Sequence, residues 1–172
     1  MQTQSKIALV TGATRGIGYE TVRGLAAAGV HTLLAGRDQA KAVEAALKLQ
    51  AEGLPVEAIR LDVTSDASIA AAVEIVTGKF GKLDILVNNA GILIDDASKP
   101  RSAQTSQVWR DTFDTNVFGL IAVTQAFLPL LRKSPAARIV NVSSALGSLA
   151  LHSDPTGPFA GFNVPAYNAS KS

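Results

Sequence analysis

The sequence predicts an α/β fold, a doubly wound parallel sheet with helices on both faces, and three observations carry that expectation. Five short apolar runs alternate with longer segments of helical period. The runs are nearly continuous Val, Ile, Leu and Ala, the composition of strands covered on both sides. A glycine-rich turn follows the first run and opens a helix, as a strand-to-helix crossover requires.

The first strand is expected over Lys6–Val10, and the turn from Thr11 to Gly18 leads into the first helix. The second strand, His31–Ala35, precedes Asp38, which can cap a helix over Gln39–Ala51 that Gly53 and Pro55 end. Val56–Leu61 is the third strand. Ile69, Val73, Val76 and Phe80 follow at intervals of four, three and four, one stripe of a helix. Leu83–Val87 is the fourth strand. A wider stripe joins Val117, Leu120, Ile121, Thr124, Phe127, Leu128 and Leu131, on a helix that Pro129 kinks or closes. Arg138–Val142 is the fifth strand, and the Gly- and Pro-bearing stretch Gly147–Val164 reads as a loop.

At 172 residues the chain suits one domain or a piece of a somewhat larger one. Charged residues are 17% and the net charge is +2, which excludes a disordered chain and a basic nucleic-acid surface. With 5% aromatic residues there is no base-stacking platform. The absence of cysteine excludes disulfides and thiolate metal sites, and His31 and His152 lie too far apart to suggest another metal site. No run approaches the roughly 18 apolar residues of a membrane span. The run Ile7–Val10 meets Gly12 too early for a signal peptide, so a cytoplasmic protein is expected.

Two motifs carry chemistry. Gly12, Thr14, Arg15, Gly16, Ile17 and Gly18 form a G-x-x-x-G-x-G turn. Glycines there permit a tight bend and a close backbone approach to a pyrophosphate at a helix N-terminus. No G-K-[ST] follows, which excludes a P-loop. The turn alone could be structural; between a strand and a helix it favours a dinucleotide. Tyr167 and Lys171 are four residues apart, so on a helix they share one face, about 5–6 Å apart at Cβ. An unperturbed phenol titrates near 10, and a neighbouring ammonium lowers that value enough to make a proton donor for a developing alkoxide. A serine hydroxyl at the carboxyl end of the fifth strand can donate to a substrate carbonyl, and spacing does not choose between Ser143 and Ser144.

The chain resembles the short-chain dehydrogenase/reductase family over its whole length. Thr11–Gly18 matches the family's T-G-x-x-x-G-x-G, and Asn88-Asn89-Ala90-Gly91 matches its N-N-A-G. Asn116, Ser144, Tyr167 and Lys171 match its catalytic tetrad in order. The resemblance implies a Rossmann-type dinucleotide-binding and catalytic domain over residues 1–172, with cofactor contacts from the glycine turn, Asp62 and Val63 at the adenine, Asn89, Ala90 and Gly91. It implies that Tyr167 is the general acid and that Lys171 also bonds the nicotinamide ribose. The family's S-x-x-G, completed by Gly147, selects Ser144, and Asn116 is expected to hold a water linked to Lys171. Arg37 is the first charged side chain past the second strand and Arg15 lies in the turn. Two cations favour a 2′-phosphate, so NADP(H) is expected rather than NAD, with Asp38 as a helix cap. A basic residue at this place and a lengthened segment Leu151–Phe162 are similar to the carbonyl-reductase branch, in which that insertion accompanies monomers. Monomer and homo-oligomer both stay open.

The resemblance implies hydride transfer between NADP(H) and a small-molecule carbonyl or alcohol. The alternative is a dinucleotide-binding regulatory protein, or an inactive fragment of the same fold. The family continues past the lysine with more helix, two strands and a substrate-covering loop, whereas this sequence stops at Ser172. The chain therefore reads as truncated at its C-terminus, lacking the family's last strands, with little reductase activity expected of it alone.

Overall fold

The computed structural model describes residues 5–159 and 161–172; residues 1–4, and Ala160 in the expected loop, lie outside the described residues. The chain divides into two compact units. The larger runs to Ala90 and takes in Leu120–Asn141, and the smaller comprises Gly91–Gly119 and Val142–Ser172.

The larger unit is a five-stranded parallel sheet in the order β3-β2-β1-β4-β5. Its strands are β1 (Ile7–Val10), β2 (His31–Gly36), β3 (Val56–Arg60), β4 (Ile85–Asn88) and β5 (Arg138–Asn141). All five expected runs form strands, with ends displaced by one or two residues. At β3, for instance, the ladder bond from Leu61 N–H to Gly36 O, 2.9 Å, extends past the strand's last residue. From β1 the chain builds outward through β2 and β3, then returns to build β4 and β5 on the other side. The carboxyl ends of β1 and β4 thus flank the point where the winding reverses, the usual ligand crevice of such sheets.

Helices α1 (Gly16–Ala27), α2 (Gln39–Ala51) and α3 (Asp66–Phe80) are the first three crossovers. Asp38 caps α2 by accepting from Lys41 N–H at 3.1 Å, as expected. Ser65 caps α3, and Gly81 ends it in the left-handed conformation, φ 69°. In α3 the expected stripe holds: Ile69 and Val76 are buried, with Val73 and Phe80 packed against the same core, and Ala72 joins them.

The smaller unit holds α4 (Ser106–Phe113), a π turn at Asp114–Gly119, a 3₁₀ turn at Ala145–Gly147, and two short helices named below. Trp109 and Phe113 are half-buried and stacked, with centroids 6.3 Å apart; Phe113 continues to Phe118 at 6.5 Å. In the larger unit again, α5 (Leu120–Leu131) departs from the expected stripe. Its buried face is Val123, Phe127, Leu130 and Leu131, whereas Ile121 is 44% exposed. The helix is apolar almost all round, so hydrophobicity does not select a face, and Val117 lies in a π turn where a 3.6-residue count fails. Pro129 sits on the exposed side two residues before the helix closes. By length and composition the helical stretch Ser106–Leu131 could cross a membrane, but Val123, Phe127, Leu130 and Leu131 are spent on the core.

Helix α6 (Leu149–Ser153) lies inside the stretch expected to be loop; Ser148 Oγ starts it by accepting from Leu151 N–H at 3.3 Å. Helix α7 (Pro165–Lys171) follows. In the larger unit β5 is an edge strand, with Ile139 and Val140 43% and 47% exposed.

One buried carboxylate ties three segments of the larger unit. Asp84 accepts from Ile7 N–H (2.9 Å), from Ser134 Oγ (2.6 Å) and from Lys82 Nζ (3.0 Å). Burial alone would push its carboxyl up; the bonds from Ser134, Ile7 and Lys82 outweigh burial and hold it below the usual carboxylate range. A depressed folded pKa contributes stability that is complete above the unfolded value of about 3.9 and is lost as pH falls through the folded one. Asp84→Asn is therefore expected to cost about 2 kcal/mol at pH 7. In urea unfolding the gap to wild type should narrow as pH falls below about 4; a gap that persists unchanged into acid would refute the assignment.

Candidate active site

At the carboxyl ends of β1 and β4, backbone and side chains lock the glycine turn. Thr11 N–H donates to Val87 O (3.0 Å) and Ala13 N–H to Ala35 O (2.9 Å). Thr11 Oγ1 accepts from Asn89 N–H and Ala90 N–H, each at 3.0 Å. Asn89 Nδ2 donates to Thr11 O (2.9 Å) and Gly12 O (3.0 Å), so its side chain is spent on the turn's shape. Gly12 has φ 62°, and a Cβ there would stand 2.7 Å from Ala90 Cα, so only glycine fits. A Cβ on Gly18 would strike the Asn89 amide. Helix α1 begins without a side-chain cap and with no acidic residue in its first turn, which leaves its first N–H groups and dipole open to an anion.

Beside the turn lies a cleft of about 740 Å³ lined by Thr14, Arg15, Tyr19, Arg37, Lys41 and Lys48, among others. Lys48 pairs with Glu44 at 2.7 Å and Lys41 lies 3.9 Å from Asp38. Arg15 and Arg37 are exposed and, among the described residues, in no ion pair. Tyr19 instead carries Arg23 over its ring at 5.3 Å. Asp62 Oδ1 accepts from Thr64 N–H (3.0 Å) and Thr64 Oγ1 (2.8 Å), shaping the turn after β3, and Val63 is buried in the core.

The smaller unit contains Asn116, Ser144, Tyr167 and Lys171 together, and α7 presents the last two one turn apart. Lys171 Nζ donates to Val142 O at 3.0 Å, and burial holds its ammonium below the ordinary lysine pKa. Asn116, 3% exposed in the π turn, accepts from Ile92 N–H (2.8 Å) and donates to Ile92 O and to Ser170 Oγ, each at 2.9 Å. Ser170 Oγ in turn donates to Tyr167 O at 2.8 Å. A Cβ on Gly91 would stand 3.3 Å from Asn116 Oδ1 and 3.5 Å from Lys171 Nζ, so the glycine keeps this space clear. Ser144 Oγ accepts from Leu146 N–H at 3.2 Å, which leaves its own hydrogen to donate. Ser143 Oγ donates to Lys171 O at 3.4 Å, a backbone contact that matches a structural role. Gly147 approaches the Lys171 carbonyl so closely that any Cβ would overlap it. His152 sits on α6, its Nε2 2.9 Å from Leu146 O.

Of the expected cofactor residues, Gly12 to Ala90 belong to the larger unit and Gly91, Tyr167 and Lys171 to the smaller. Sequence reasoning missed Ser170 and, above all, Asp95, which reads in sequence as a solvated loop tip. Asp95 is buried, and its carboxylate accepts from Ala166 N–H (2.8 Å) and Tyr167 N–H (3.1 Å) at the start of α7. One signal was available. Val164-Pro165 opens α7 with no capping side chain, so a remote acceptor is needed.

A family model for short chain dehydrogenase matches residues 6–172. The short-chain dehydrogenase anuI of Penicillium roqueforti is 41% identical over 172 residues, covering 96% of this chain and 67% of that protein. (+)-Neomenthol dehydrogenase of Capsicum annuum is 36% identical over 185 residues, covering 87% of this chain and 59% of that protein. A solved gluconate 5-dehydrogenase of Burkholderia cenocepacia, in complex with NADP and tartrate, is similar at TM-score 0.81 and 32% identity, over 96% of this chain and 60% of that one. The chain spans 55 to 67% of the length of the curated relatives it matches. Matched along nearly its whole length, with the parallel sheet and glycine turn in place, the chain belongs to the short-chain dehydrogenase family.

Proposed function

We propose that the polypeptide carrying this chain is an NADP(H)-dependent oxidoreductase that interconverts a small-molecule carbonyl and its alcohol. The observation that carries this reading is the half-buried Lys171, its ammonium bonded to Val142 O, on the helical face that also bears Tyr167. The donor set fits the cofactor. The glycine turn admits close backbone approach, the uncapped start of α1 suits a pyrophosphate, and Arg15 and Arg37 suit a 2′-phosphate. The NADP bound by the Burkholderia relative supports the same choice. Asp62, Val63, Asn89, Ala90 and Gly91 complete the cofactor site by the family's pattern.

Once bound, the nicotinamide supplies or accepts the hydride. Ser144 donates its hydroxyl hydrogen to the carbonyl oxygen and stabilises the charge that grows there. The Tyr167 phenol passes its proton to that oxygen as the alcohol forms. Lys171 stabilises the phenolate left behind, and burial strengthens the attraction because water screens it less. Lys171 and Tyr167 also hold the nicotinamide ribose. Asn116 keeps α7 in place through Ser170 and borders the space beside Lys171 in which a linking water is expected.

Three substitutions in the full polypeptide test the reading, with NADPH absorbance followed over a panel of ketones and aldehydes. Tyr167→Phe should lower kcat about 10³-fold while NADPH binding stays close to wild type. Wild-type binding without turnover, unchanged by Tyr167→Phe, would instead identify a dinucleotide sensor. Lys171→Ala should lower kcat about 10²-fold, and a wild-type rate would reject its role beside the phenol. Arg37→Ala should raise KM for NADPH about 10- to 50-fold and leave that for NADH unchanged; equal effects on both cofactors would remove the 2′-phosphate assignment.

A further inference from the structure

We propose that Asp95 is a positioning residue for Tyr167, an acceptor supplied by a remote loop that sets the first turn of α7 and so the place of the phenol. The proposal rests on the reading of Tyr167 as proton donor.

The need comes from the sequence of α7 itself. Val164 has no side chain that can cap, and Pro165 has no N–H, so the first amides requiring a partner are those of Ala166 and Tyr167. Both Val164 and Ala166 are buried, which leaves no water to serve. Asp95 gives one carboxylate oxygen to each: Oδ1 accepts from Ala166 N–H at 2.8 Å and Oδ2 from Tyr167 N–H at 3.1 Å. Two bonds to two oxygens fix the rotation of the turn as well as its position.

The loop bearing Asp95 is held as well. Asn116 clamps Ile92 through both its N–H and its C=O, three residues before Asp95. The same Asn116 donates to Ser170 Oγ, which donates to Tyr167 O. Tyr167 therefore has its N–H held by Asp95 and its C=O held by Ser170. The adjacent Asp96 differs: it is exposed, bonds Ser98 within its own turn and pairs with Lys99 at 3.3 Å.

The test uses the full polypeptide at a temperature where each variant is fully folded by circular dichroism. Asp95→Ala should lower kcat about 100-fold, the scale of a misplacement near 1 Å, with KM for NADPH within about twofold of wild type. Asp95→Asn, which retains one acceptor, should fall between the two. Wild-type kcat in folded Asp95→Ala, or a loss that falls on KM for NADPH instead of kcat, would overturn the proposal. Tyr167→Phe, run alongside, separates the failures: if it too retains activity, the reading of Tyr167 is wrong. If Tyr167→Phe alone is inactive, only the role of Asp95 is lost. Should neither Asp95 variant fold, amide exchange in wild type decides: slow exchange at Ala166 and Tyr167 supports the clamp, and open-chain rates there reject it.

Discussion

An ammonium taken out of water costs free energy, and the smaller unit is organised around that cost at Lys171. Its Nζ recovers one hydrogen bond from Val142 O, while Gly91 leaves clear space beside it that a single methyl would crowd. Partial burial holds the lysine pKa below its ordinary value. A charge in that state gains from an anion placed nearby, and the phenolate proposed at Tyr167, one helical turn away, would be such an anion. The proton chemistry proposed for Tyr167 and the strain of burying Lys171 are thus one electrostatic arrangement seen from two sides.

Keeping that arrangement in register falls to bonds between side chains and backbone. Ser143 and Gly147 bring the segment after Val142 against Lys171, while Asp95 holds the first turn of α7 and Asn116 holds Ser170 near Lys171. A neutral amide serves best where a carbonyl and an N–H of the same residue must both be met. Asn116 does this at Ile92, accepting from one and donating to the other, which no carboxylate can do. A carboxylate serves best where two N–H groups converge, as they do on Asp95.

The fold was legible in the sequence because parallel strands buried on both faces need no pattern beyond apolar continuity, which β1, β2 and β4 follow most closely, while β3 and the exposed edge strand β5 depart from it. The Asp38 cap was legible because capping is local, and Tyr167 with Lys171 because a spacing of four defines a helical face. The buried face of α5 was not, since Leu120–Leu131 offers apolar residues in nearly every direction and only packing chooses among them. Nor was Asp95, whose partners lie 71 and 72 residues along the chain, beyond any periodicity. Beside Asp96 it looks like half of a solvated pair. The structure separates the two by burial, which sequence adjacency does not record.

The Asn88-Asn89 doublet shows how one dipeptide can serve two sides of a sheet. Successive strand residues point to opposite sides, and at the end of β4 this sends the two amides to different tasks. Asn88 Nδ2 donates to Thr124 Oγ1 on α5 and to Asn141 Oδ1 at the end of β5, both at 2.9 Å. Asn89 Nδ2 donates to the carbonyls of Thr11 and Gly12 in the glycine turn. In each case an N–H₂ group meets two oxygens, a demand that aspartate fails because it brings only further acceptors, and that alanine fails because it brings no donor. The doublet therefore couples the switch point of the sheet to its edge strand on one side and to the glycine turn on the other. A family motif that sequence reading assigns to cofactor contact is, in its side chains, the scaffold that gives the turn its shape.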